Sequence, residues 1–501
     1  MSNTFMNTLV NETNFMTTEN GALAHKSTLS MVYDMFAFGG AYRKRTDEDC
    51  ILLFKNAYEE NPELALKCLF YLRDCRGGQG ERRFFRVCFK WLCKNYEDVA
   101  IKMLIHLSEY GRWDDLIYAT YGTDVFVAAL AVIKNQLMLD LECQTPSLLG
   151  KWLPSENASA YSTKVAAGEV RKYLGLTHKQ YRKMLSALRG RINIVERLMS
   201  ENRWDEIEFD KLPSKAGLIY KNAFARRDII AKKYEIFAKD KTTKVNATTL
   251  YPYEVVEKVM PYLRWDKTIS DKVTEVERDM IEKYWENLPD YLNGNPCSMM
   301  CVVDTSDSMR GRPINVAISL GMYCAERIGG DFKNHYISFS SKPQFIKIEG
   351  VDFMDKVARI YGTNLCQNTN IEATFDLLLK AAKKSKTEDI PKTIVIISDM
   401  QIDHMTSSPL GDRRMKTWTE KTAATEMELI REKWAAAGIE CPKLVYWNVD
   451  ARDNTILDAG PNVSFVSGCS PVLYEQIVRG VTGIDLMLEK LNSERYAAIT
   501  L

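Results

Sequence analysis

Apolar and polar positions follow two different periods along the 501-residue chain. From residue 1 to about 290 the apolar residues recur every three to four positions, the spacing of amphipathic helices. "TDEDCILLFKNAYEENP" opens with Thr46 as a candidate N-cap and Asp49 three residues on, then sets Ile51, Leu52, Phe54 and Tyr58 near one face. Pro62 stops that helix and "PELALKCLFYLRDCRGG" begins another. "ERRFFRVCFKWLCKNY", "DVAIKMLIHLSEYG" and "DVFVAALAVIKNQLMLDL" continue the series, with Gly, Pro, Asn or Asp between them. No strand pattern of similar quality interrupts. The reading is an all-helical module over 1–290, built of antiparallel helix pairs stacked as a HEAT-like solenoid, although no fixed repeat length stands out.

After the Pro/Gly/Asn-rich joint "NLPDYLNGNP" the period changes. Strand-like runs at 298–303, 333–339, 343–348, 393–398, 443–449 and 462–467 alternate with helical stretches at 313–328, 353–361, 370–384, 418–437 and 470–491. This predicts a doubly wound α/β domain over 291–501, ending in a helix. Only Ser340 to Lys342 separate the second and third strands. That is too short for a crossover, so the pair must be an antiparallel hairpin at a sheet edge. The fold class is therefore multidomain, α plus α/β.

Composition narrows the function classes. With 46% apolar and 27% charged residues the chain reads as globular protein, and its net charge of +1 gives no global attraction to polyanions. Residues 1–20 lack the apolar core of a secretory signal, and the longest apolar run, Val125 to Ile133, is too short to span a bilayer. The expectation is a cytoplasmic protein with no membrane partner. Twelve Cys occur without a C-x-x-C pair, mostly in apolar contexts, and read as reduced core residues. Five scattered His give no zinc spacing.

Candidate chemistry concentrates in "CVVDTSDSMRG", 301–311. An apolar strand ends in two carboxylates and three hydroxyls within five residues. In a doubly wound sheet of order 3-2-1-4-5-6 the first and fourth strands are neighbours, and ligands bind beyond their carboxyl ends. Asp304 and Asp399 should meet there, and the loop "CQNTN" should reach the same rim. Asp304, Ser306, Ser308, Thr369 and Asp399 then offer only oxygens, which suits a hard cation such as Mg²⁺. Thr363 rivals Thr369, which is preferred because Asn370 and a helix follow it directly. Because the hydroxyls are neutral, such a site keeps an appetite for one further carboxylate or phosphate. A haloacid-type phosphatase would need Asp where Ser306 stands, an aspartic protease would need Asp-Thr/Ser-Gly twice, and no P-loop is present.

These residues resemble the metal-ion-dependent adhesion site of von Willebrand factor A domains. There, an Asp and two Ser follow the first strand, a Thr comes from a loop before a helix, and an Asp follows the fourth strand. One departure is that the family's Asp-Gly is Asp399-Met400 here.

Three helical stretches are locally basic. Residues 171–200 hold eight Lys/Arg against one acid, 221–245 eight against three, and 73–86 five against two. In the first, Leu174, Tyr181, Leu185 and Leu188 take one helix face and the cations another. Lys172, Lys179, Arg182, Lys183, Arg189 and Arg191 are the candidate RNA contacts, on charge alone. "RGGQG" within 73–86 also reads as an interhelical turn.

A helical module followed by a von Willebrand A domain is the plan of the Ro ribonucleoprotein (TROVE) family. "TENGALAHKST", "RDCRGGQGERRFFR", "YGRWDDLIYA", "KWLPSENASA", "RINIVERLMSENRWDEI", "SDMQID" and "VYWNVD" look like a microbial and viral branch of Ro-like proteins. In Ro proteins the helical repeats close into a ring that binds single-stranded RNA ends and structured small RNA. The resemblance implies a non-enzymatic RNA-binding protein with a metal-dependent interaction site. The alternative is a scaffold that binds an acidic protein at the metal site, without RNA. A third reading has Asp304 and Asp399 serving a Mg²⁺-dependent hydrolase.

Overall fold

The computed structural model describes residues 13–19, 22–192, 194–294, 297–339, 343–363, 371–401, 425–458, 460 and 462–501. It contains two compact units that do not follow chain order. One comprises Met1–Thr46, Lys55–Asn61 and Tyr251–Ser493, the other Asp47–Phe54, Pro62–Leu250 and Glu494–Leu501.

The first unit is built on a six-stranded sheet in the order β5-β4-β3-β6-β7-β8. The strands are β3 (Met299–Asp304), β4 (His335–Phe339), β5 (Gln344–Lys347), β6 (Thr393–Ser398), β7 (Lys443–Asn448) and β8 (Val463–Ser467). All neighbours are parallel except β4 and β5, which pair antiparallel. The edge hairpin and the reversal of strand order between β3 and β6 therefore stand as the sequence pattern requires. Every residue of β3 and of β6 is buried, as helices on both faces of a parallel sheet demand. The helix Arg312–Arg327 packs so closely that a Cβ on Gly321 would lie 2.5 Å from Val303 Cγ2. The expected helix over 470–491 is broken into Tyr474–Val478 and Gly483–Leu491, with Gly480 and Gly483 at positive φ between and at their ends.

Residues 13–19 and 22–46 pack into this unit, which their lack of a strong pattern concealed. A two-stranded hairpin, β1 (Phe15–Thr17) with β2 (Leu23–His25), stands where no strand was expected. His25 exchanges backbone hydrogen bonds with Ile456, at 2.7 and 2.9 Å. The backbone N–H of Phe465 donates to the Tyr33 hydroxyl at 2.9 Å, and that of Gly40 donates to Ser467 Oγ at 2.9 Å. At Gly40 a Cβ would meet the Ser467 carbonyl oxygen at 2.7 Å, so only glycine allows this approach. The joint near residue 290 is held by Tyr323, which donates to the Pro289 carbonyl at 2.5 Å and accepts from the Tyr291 N–H at 2.9 Å.

The second unit is helical. Its helices include Pro62–Arg73, Arg82–Asn95, Glu97–Met103, Asp115–Tyr118, Val125–Glu142, Leu149–Trp152, Tyr161–Tyr173, His178–Ile192, Ser214–Arg226 and Asp228–Lys239. The helix expected over 98–111 is interrupted by a 3₁₀ turn at Leu104–His106. In "RGGQG", Gly80 takes φ +68°, while a Cβ on Gly78 would lie 1.9 Å from the Tyr71 carbonyl oxygen. The turn reading of that motif is thus also a requirement for close backbone approach. The last residues return to this unit: Tyr496 donates to Asp74 at 3.0 Å, and Tyr110 to the Arg495 carbonyl at 2.6 Å. Among the described residues no helix is long and apolar enough to cross a membrane.

Candidate functional site

The carboxyl ends of β3 and β6 bring Asp304, Ser306, Ser308 and Asp399 to one rim. Asp304 is the last residue of β3 and is fully buried, and Asp399 follows β6 at 1% exposure. The turn after β3 folds on itself: the Ser306 N–H donates to Asp304 Oδ1 at 2.9 Å, and the Ser306 and Ser308 hydroxyls are 2.9 Å apart. Alternate residues thus present their oxygens together. Thr369 lies outside the described residues. Its rival Thr363 is capped within its own helix end, donating to the Ile360 carbonyl at 2.6 Å.

The electrostatics of the rim are unbalanced. Burial pushes the Asp304 carboxyl up to about 7, and the charge of Asp399 adds to the effect. Burial also raises Asp399, against the stabilising N–H of Gln401. Asp399 Oδ2 is buried with no hydrogen-bond partner among the described residues. Its charge meets only the Arg452 guanidinium, 3.7 Å away, and a buried oxygen without a hydrogen bond is costly unless a further partner supplies one. The hydroxyl of Thr305, which follows Asp304 in sequence, is likewise buried with no hydrogen-bond partner among the described residues.

Several residues at this rim carried no sequence signal. Ser398 donates to Asp304 Oδ2 at 2.5 Å and accepts from the Met400 N–H at 2.9 Å. Met400 sits at φ +64°, the left-handed region that the glycine of an Asp-Gly pair adopts without strain. The chain therefore keeps a glycine-like turn here with a bulkier, buried residue. Arg452, four residues beyond β7, donates to the Ser308 carbonyl at 2.6 Å and to Glu19 at 2.9 Å, and stands 3.7 Å from Asp399 Oδ2. The Glu19 N–H in turn donates to Gln401 Oε1 at 2.8 Å. Asp450 is buried and paired with Lys44 at 2.6 Å. The rule that located Asp399, loops at strand carboxyl ends, also reaches Asp450 and Arg452 when extended to the next strand. Glu19 had no such pointer.

The six candidate RNA residues divide by what they already do. Arg189 donates to the Gly150 and Leu153 carbonyls at 2.9 and 3.0 Å and to Ser155 at 2.9 Å, holding neighbouring chain in place. Arg191 similarly clamps the carbonyls of Leu141 and Cys143 at 3.0 and 2.8 Å. Lys172 pairs with Glu169 at 2.9 Å. Lys179, Arg182 and Lys183 are exposed on the helix His178–Ile192 and form no ion pair among the described residues. Tyr181, Leu185 and Leu188 bury the opposite face, as the period predicts.

Comparison with known proteins adds family and relatives. The profile of a domain of unknown function, DUF2828, matches residues 18–118 and 145–295, and that of another, DUF7788, matches 298–490. An uncharacterized protein of Acanthamoeba polyphaga mimivirus, L728, is 29% identical over 485 residues, covering 89% of this chain and 80% of its own. The crystal structure of the Deinococcus radiodurans RO (RSR) protein aligns with 93% of this chain and 100% of its own at 11% identity and a TM-score of 0.35.

Proposed function

The chain belongs to the DUF2828 family, and from that premise and the two charged surfaces described above we propose that it is a non-enzymatic RNA-binding protein with a metal-dependent interaction site. The observation that carries the RNA reading is the triad Lys179, Arg182 and Lys183. Spaced at i, i+3 and i+4, these side chains share one helix surface, and the fold leaves them free to meet phosphates. The sequence resemblance to Ro-like proteins supports the same reading. Single-stranded RNA is gripped in this way by cations that track the backbone. Cytoplasmic residence goes with this reading.

The metal reading rests on the charge count at the rim. Four acidic side chains, Glu19, Asp304, Asp399 and Asp450, stand against two cations, Arg452 and Lys44, an excess of acid that burial moderates by keeping Asp304 partly protonated at neutral pH. Asp304, Ser306, Ser308 and Asp399 would hold Mg²⁺, and the orphaned Asp399 Oδ2 fits such a partner. When bound, the ion supplies a positive charge that attracts a carboxylate or phosphate from outside. Thr369 completes the set in the von Willebrand A reading.

The orphaned oxygen favours a second reading too: a scaffold whose acidic protein partner binds at the metal and which uses no RNA. Absorbance at 260 against 280 nm of protein purified without nuclease separates them. Co-purifying nucleic acid supports RNA binding; a protein-like ratio together with Mg²⁺-dependent capture of an acidic peptide supports the scaffold.

A further inference from the structure

The helical unit holds a second charge imbalance that neither reading above uses. Arg73 donates through Nε to Asp115 Oδ2 at 2.9 Å, and Arg86 through Nε to Asp115 Oδ1 at 2.7 Å. Arg86 also reaches Asp114 at 3.0 Å, and Arg112 grips both oxygens of Asp114 at 2.9 and 2.6 Å. Two acids therefore fix three guanidinium groups. Asp115 is wholly buried; although burial works against its charge, Arg73 and Arg86 hold its carboxyl below the usual range. Gly111 is part of the design, since a Cβ there would lie 2.3 Å from Asp115 Oδ2.

Arg82 is the fourth arginine. It is exposed, forms no salt bridge among the described residues, and lies one helical turn before Arg86. Partial burial and the neighbouring Arg112 and Arg86 push its guanidinium below the usual arginine range. Like charges at i and i+4 destabilise a helix. The helix Arg82–Asn95 also begins here with no acid in its first turn, where its dipole favours one. Glu81, just before it, is buried and makes no capping bond through its side chain. Across Arg73, Arg82, Arg86, Arg112, Glu81, Asp114 and Asp115 the sum is four positive against three negative. Arg112 is further immobilised over the Trp152 ring, 4.0 Å from its centroid, and Arg86 over Tyr118 at 4.8 Å. A solvated basic face has no need of such fixed forks. Asp114 offsets this repulsion on Arg82 only in part, and an anion beside Arg82 would offset the rest.

We propose that Arg82, Arg86 and Arg112, beside Trp152, form a binding site for a phosphate group. Arg86 and Arg112 spend Nε and Nη2 on the two acids, which fixes each guanidinium plane and leaves Nη1, with the exposed Arg82, to meet phosphate oxygens. The phosphate comes from an inorganic or terminal phosphate or from the phosphodiester of a nucleic acid, and the test separates these sources.

The test uses the full-length protein. Thermal unfolding is followed with inorganic phosphate against chloride at equal ionic strength, and a fluorescein-labelled oligouridylate is titrated by anisotropy. Phosphate should raise the melting temperature of wild type, and Arg82→Gln should abolish that rise. Arg82→Gln should also weaken oligouridylate binding about tenfold if the source is a phosphodiester. Without phosphate, Arg82→Gln should melt no lower than wild type, because it removes repulsion and breaks no ion pair. Arg112→Lys keeps the charge but loses the fork and should weaken the response as well. The combined neutralisation of Lys179, Arg182 and Lys183 should leave the inorganic phosphate response intact, so failure of the RNA proposal and failure of this one are distinguishable. The proposal is overturned if neither phosphate nor oligouridylate binds, or if Arg82→Gln responds to both as wild type does.

Discussion

The sheet rim and the arginine cluster are two charge clusters of opposite sign, each in its own unit. At the rim, Asp304 and Asp399 are buried side by side and their carboxyls are raised. In the helical unit, Asp115 is just as buried, yet its carboxyl is lowered because Arg73 and Arg86 clasp it. Burial is alike in the two places; the partners differ. Two arginines clasp Asp115 directly, whereas Asp399 lies beside another acid and has one guanidinium, Arg452, 3.7 Å away. The arginine cluster contains both conditions, a closed core of ion pairs and an open edge at Arg82.

The comparison is broken most severely by opening the closed half. Asp115→Ala should cost about 3–5 kcal/mol of unfolding free energy, because it strands Arg73 at 3% exposure and leaves Arg86 with Asp114 alone. Denaturant unfolding monitored by circular dichroism checks this; a loss below about 1 kcal/mol would show that the pair is not structural.

Asp304→Ala acts on the other half in the opposite sense. It should weaken Mg²⁺ binding about a hundredfold or more while leaving the fold in place, since it removes a repulsive charge as well as a ligand. Isothermal titration reads the metal. Equal affinity in wild type and variant would remove the metal assignment.

The acidity of Asp304 sharpens the contrast. Its folded carboxyl is raised to about 7, so the stability it contributes is fully present below its unfolded range and is lost as pH rises through about 7. In metal-free buffer, wild type should therefore gain on the order of 2 kcal/mol relative to Asp304→Asn on acidification from about pH 8.5 to 5.5. Parallel stability curves for the two proteins would contradict the raised value.

Arg452 gives the smallest effect. Its guanidinium, 3.7 Å from Asp399 Oδ2, opposes an incoming cation. Arg452→Gln should tighten Mg²⁺ about fivefold, near 1 kcal/mol at a partly solvated site. Weaker binding would show that Arg452 supports the site instead.

Much of the sheet was legible because a buried parallel strand leaves few choices. "MMCVV" and "IVII" are apolar throughout, and the three residues between β4 and β5 exclude a crossover. Asp304 and Asp399 followed from strand order. What sequence could not show was use. Arg189 and Arg191 look like Lys179 and Arg182 in a list of charges, yet they are spent on carbonyls that only folding brings near. Glu19 reaches the rim through a short hairpin of three-residue strands, too brief for a period to register. The break at Gly480 was hidden by continuous apolar spacing across 470–491.

The central claim is that phosphates meet the free cations of the helix His178–Ile192. Anisotropy of a labelled single-stranded RNA across a salt series tests it most directly. For single strands, log K falls with log salt by about 0.7 for each phosphate contact. Neutralising Lys179, Arg182 and Lys183 together, and sparing the structural Arg189, should flatten that slope by about 2 and weaken different sequences alike. If wild type shows no salt-dependent binding at low salt, or the variant keeps the wild-type slope, the RNA-binding account is contradicted.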